Sequence, residues 1–90
     1  MNNKRKGGND ELYEVIAGLS TAEETQAFLQ DLCTPGEITA MSQRLAAAKL
    51  LLEGKTYEQV IAMTDISSAT LSRVSKCVKQ GKGYISVLKK

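Results

Sequence analysis

Ile66-Ser67-Ser68-Ala69-Thr70-Leu71-Ser72-Arg73-Val74 follows Thr56-Tyr57-Glu58-Gln59-Val60-Ile61-Ala62-Met63 across a break at Thr64-Asp65. The pattern is that of two short helices joined by a tight turn, a helix-turn-helix spanning about residues 56–78. Thr56 opens the first helix, and Ser67 or Ser68 caps the second. Ile66, Leu71 and Val74 recur on one side and are expected to dock onto Val60 and Ile61. The other side carries Ser67, Ser68, Thr70, Ser72 and Arg73, which are short or basic hydrogen-bonding side chains without an acid among them. A helix that enters the major groove of DNA by its N-terminus needs such a first turn. Ser67, Ser68, Thr70 and Ser72 suit phosphates or base edges, and Arg73 suits a guanine or a phosphate. Lys76 and Lys79 follow on roughly the same side and suit phosphates. The competing view of the same residues is an ordinary helical hairpin whose serines are caps and solvated surface.

The charge along the chain is uneven. Residues 1–32 hold three bases and six acids, whereas residues 33–90 hold nine bases and four acids. The last acid is Asp65, and Arg73, Lys76, Lys79, Lys82, Lys89 and Lys90 follow without a counter-charge in sequence. A basic second half fits a polyanion partner or a solvated lysine-rich surface equally well, and the pattern around Arg73 rather than the charge favours the first, double-stranded DNA.

Working toward the N-terminus, Thr34-Pro35-Gly36-Glu37 is a helix start: hydroxyl cap, a proline that needs no donor, and a carboxylate three residues on. The helix it opens carries Ile38, Met41, Leu45, Ala48, Leu51 and Leu52 and stops at Gly54. At about 18 residues it spans roughly 27 Å. Its apolar face is wide for so small a chain. Ser20 and Glu23 have capping-box spacing for a second helix through Ala27, Phe28 and Leu32. Asp10 is placed to cap a first helix with Leu12, Val15, Ile16 and Leu19. Residues 1–9 have no periodicity and are expected to form a flexible arm, with Lys4-Arg5-Lys6 as a phosphate-contacting or solubilising run. After Gly81 and Gly83 comes a short apolar tail of Tyr84, Ile85, Val87 and Leu88. No β-type alternation persists, so the fold class is all-α, five to six helices in a single domain over residues 10–90.

Composition narrows the function. Ninety residues form one small domain, marginal as a monomer, for which oligomerisation supplies missing burial. Aromatics at 4% leave no stacking platform for single strands. The absence of histidine removes the commonest general base, the usual triads and most zinc sites, so an enzyme is the least favoured class and no catalytic or metal residue is assigned. Cys33 and Cys77, without CxxC spacing, read as reduced structural thiols, and Met41 and Met63 as core residues. No window has the length of a membrane span, and a cytoplasmic protein is expected.

Thr34-Pro35-x-Glu37, Arg44, the long helix to Leu52, Gly54 and Thr70-Leu71-Ser72-Arg73 together resemble the Trp repressor. The chain is more closely similar to the YerC/YecD-type Trp-repressor-related proteins of Gram-positive bacteria. The resemblance covers nearly all of residues 10–90 and is strongest from Thr34 to Lys76. It implies a Trp-repressor-like intertwined homodimer whose paired recognition helices read a two-fold operator about one DNA turn apart. It further implies a sequence-specific transcriptional regulator, a repressor, under the control of a small ligand. The ligand positions of the repressor match Thr34, Arg44 and Arg73, the last after a one-residue gap in the turn. Asp65 and Ile61 depart from the usual helix-turn-helix, which has a turn glycine and a small residue there, and Val74 stands where the Trp repressor has a glycine beside the second arginine. A valine there narrows the slot for a flat ring, which disfavours L-tryptophan and leaves another small-molecule co-repressor open. Arg44 has an alternative role in an ion pair with Glu37 or an acid of a partner chain. The alternative function is a dimeric protein-interaction module that keeps the fold without specific DNA binding.

Overall fold

The computed structural model describes residues 8–89, which contain six α-helices and no strand. These are α1 (Asp10–Ala17), α2 (Ala22–Leu32), α3 (Pro35–Leu52), α4 (Tyr57–Thr64), α5 (Ser68–Gln80) and α6 (Gly83–Leu88). Most of the expected arm, including Lys4-Arg5-Lys6, lies outside the described residues, as does Lys90. The chain forms two compact units, residues 1–35 and 36–90.

In the first unit, α1 and α2 contain no fully buried residue. The cap of α1 falls on Asn9 rather than Asp10, and its side chain makes no cap hydrogen bond. Asp10 instead joins the first turn beside Glu11, where negative charge favours the positive end of the helix dipole. The start of α2 is also one residue later than the Ser20/Glu23 spacing suggests. Thr21 is the cap, its Oγ1 accepting from the Glu24 amide at 3.0 Å, while the Ser20 amide donates to Glu24 Oε1 at 2.8 Å. This register turns Thr25, Phe28 and Leu29 to the half-buried side, at the i, i+3, i+4 spacing of one helix face. Leu32 remains exposed.

The second unit holds the core. Pro35 occupies the first helical position of α3, as its fixed φ and missing donor favour. The far end closes in a Schellman arrangement. The Lys55 amide donates to the Leu50 carbonyl and the Gly54 amide to the Leu51 carbonyl. Gly54 stands at φ +93°, a backbone state that a side chain resists. Ala47 and Ala48 of α3, Val60 of α4, Ile66 of the turn, and Leu71 and Val74 of α5 form one buried cluster. Leu50, Leu51, Ile61, Val78, Tyr84 and Leu88 pack around it. Ala47 and Ala48 are the fully buried contribution of α3 to this cluster. Met63 is not a core residue as its helical spacing suggests, being 61% exposed near the end of α4. The apolar tail forms α6, and α4 and α6 both pack against α5.

Candidate nucleic-acid interface

The candidate interface is built from α4, the turn and α5. Thr56 caps α4 in a full capping box: its Oγ1 accepts from the Gln59 amide at 3.2 Å, and its own amide donates to Gln59 Oε1 at 2.9 Å. Asp65 ends α4 at φ +60°, ψ +16°, with its amide donating to the Ile61 carbonyl at 2.9 Å. The turn therefore keeps the left-handed backbone that a glycine would provide, carried by an aspartate, which tolerates that region better than most residues. Ile66 then plugs into the core and Ser67 caps α5.

At 3.6 residues per turn, Leu71, Val74, Ser75 and Val78 share the inner side of α5. Ala69, Ser72, Arg73, Lys76 and Gln80 share the opposite side and are all exposed, with Ser68 and Lys79 flanking them. The sequence-derived contact residues are thus brought together on one helix, but in two groups. Ser68, Ser72, Arg73, Lys76 and Lys79 point to solvent. Ser67 and Thr70 are engaged with each other: Ser67 Oγ accepts from the Thr70 amide at 3.2 Å and donates to Thr70 Oγ1 at 2.9 Å. Thr70 is half-buried.

Thr34, Arg44 and Arg73 do not share one unit. Thr34 is exposed in the first, whereas Arg44 is half-buried on α3 and Arg73 exposed on α5 in the second. Val74 is fully buried beside Leu71, so its side chain belongs to the core cluster. Cys33 and Cys77 are free and half-buried. Among the described residues there is no cluster of metal-ligating side chains, and no helix is long and apolar enough to cross a membrane.

The structure adds residues that the sequence pattern did not single out. Ala69 and Gln80 lie on the outward face of α5, and counting positions from Arg73 would have placed them there. Ala69 offers a methyl of the kind that packs against thymine. Gln43 and Thr64 join α3 to the turn, an arrangement for which no local signal exists.

The sequence profile of the Trp repressor protein family matches residues 8–90. The chain belongs to the Trp repressor family. It is 43% identical over 72 residues to the uncharacterized protein YerC of Bacillus subtilis strain 168, covering 80% of this chain and 69% of YerC. Among solved structures it is similar to a candidate Trp repressor from Staphylococcus aureus, at 38% identity and a TM-score of 0.87. That likeness covers 94% of this chain and 86% of the other. It is equally similar to a TrpR-like protein from Eubacterium eligens, with 38% identity, a TM-score of 0.86, and coverage of 98% and 93%. Membership in the Trp repressor family agrees with the all-helical fold and with a helix-turn-helix at α4–α5.

Proposed function

We propose that this Trp repressor family chain is a sequence-specific DNA-binding transcriptional regulator that acts as a homodimer, with α5 as the recognition helix. The observation that carries the reading is the outward face of α5. It is polar and basic, free of acids, and mounted on a capped helix that follows a fixed turn. Ser68, Ser72 and Arg73 are the residues proposed to meet base edges or phosphates. Thr70 donates to a phosphate, Ser67 holds the start of the helix, and Lys76 and Lys79 neutralise the flanking backbone. Two-fold symmetry follows from pairing two chains, and the exposed Leu12, Val15 and Ile16 of α1 and Leu45 of α3 provide apolar surface for it.

The test is selection of bound fragments from sheared genomic DNA by the purified protein near physiological salt. Recovery of a shared inverted repeat supports a specific dimeric regulator. Weak, motif-free recovery that persists with a mixture of small metabolites favours the protein-interaction module instead. Control by a small ligand belongs to the same proposal and is tested by repeating the selection with and without that mixture.

A further inference from the structure

Two polar side chains lie where the recognition helix is hung from the rest of the second unit. Gln43, on α3, donates from Nε2 to the main-chain carbonyl of Thr64, the last residue of α4, at 3.2 Å. Thr64 uses its hydroxyl in both directions: it donates to the Val60 carbonyl at 2.7 Å and accepts the Ile66 amide at 3.3 Å. The carbonyl of one residue is thus tied to α3, while its side chain closes the turn onto α4 and onto the first residue leading into α5.

Packing alone does not account for this. Val60, Ile66, Leu71 and Val74 hold α5 against its neighbours through apolar contact, which is non-directional. Such contact sets how close the helix lies more firmly than how far it slides or rotates. Hydrogen bonds weaken steeply when bent, so they fix direction. A helix that reads bases must be held to about 0.5 Å and 10–20°. We infer that Gln43 and Thr64 are positioning residues that set the orientation of α5, acting on DNA selectivity without touching DNA. The inference rests on α5 being the DNA-reading element.

Both residues also line a groove of about 310 Å³ with Ile38, Ala46 and Met63. The tether is therefore reachable from solvent, and removing its donor does not open a sealed cavity. Gln43→Met keeps the length of the side chain and the helix propensity but loses the donor. Thr64→Val loses the hydroxyl at nearly constant shape, and Thr64→Ser restores it.

The experiment measures each variant, as the full chain, on the fragment selected by the wild type and on a scrambled fragment of equal length. Gln43→Met and Thr64→Val are expected to lower the ratio of specific to non-specific affinity by about three- to tenfold, the range of one ordinary hydrogen bond. Non-specific affinity stays unchanged, and Thr64→Ser recovers the wild-type ratio. Amide exchange at Asp65 and Ile66 is expected to quicken in both weakened variants, a readout independent of DNA. An unchanged ratio overturns the inference, as does a proportional fall in both affinities, which is what a lower folded fraction would produce. A wild type that selects no fragment fails the parent reading instead, and the positioning role falls with it.

Discussion

A Cβ placed on Gly81 would stand 2.7 Å from the carbonyl oxygen of Cys77, closer than such atoms approach without a backbone shift. That carbonyl is also the acceptor of the Gly81 amide at 2.8 Å, so the contact is part of the way α5 ends. Gly81→Ala is expected to destabilise the protein by about 1–3 kcal/mol, the usual cost of forced backbone movement, as read from urea unfolding. Gly54 poses the opposite problem, since nothing lies within 4 Å of its would-be Cβ but φ is +93°. Gly54→Ala should therefore cost only the conformational penalty, about 1–2 kcal/mol. Arg73 carries the sharpest binding prediction at this scale. It is exposed on the outward face of α5, so Arg73→Ala should leave the melting temperature within error while costing about 1–3 kcal/mol on the selected fragment. An unchanged affinity would remove Arg73 from the contact surface.

Among the elements, α5 depends on its cap more than its propensities suggest, because Ser, Thr and Val are indifferent helix formers. Ser67→Ala removes the acceptor of the Thr70 amide and should cost about 1 kcal/mol, whereas Ser67→Gly should cost only a few tenths. Far-UV circular dichroism during urea unfolding distinguishes the two. The same elements show which parts of the fold were legible from composition and spacing. Thr34-Pro35 and Gly54 bound α3 because each supplies a specific backbone chemistry at a helix end, and the inward set Ile66, Leu71 and Val74 follows from period alone. The start of α2 was ambiguous because Ser20 and Thr21 can both cap, with Glu23 and Glu24 each three residues on; only the packed register chooses. Met63 shows the limit of periodicity, which marks an apolar side of a helix without saying whether that side meets the core. Gln43 and Thr64 are 21 residues apart, and their bond depends on how α3 lies against α4, which no local pattern encodes.

For the whole molecule, the proposed function makes binding a matter of charge counted over two chains. If each chain uses about three to five phosphate contacts, from Lys76, Lys79 and their neighbours, the dimer neutralises about six to ten phosphates. The logarithm of affinity should then fall against the logarithm of salt concentration with a slope of about −5 to −9. A monomer using the same face would give about half that slope. The distinction separates two explanations of weak binding. A dimer lacking a co-ligand keeps the steep slope at low affinity, because phosphate contact does not depend on base recognition. A chain that has not paired keeps only about half of that slope. Titrating salt at two protein concentrations, one tenfold above the other, resolves them. A slope that steepens with concentration means that pairing is being driven by mass action. A slope near −1 at both concentrations would leave α5 without a DNA-binding role and return its basic face to the class of solvated surface.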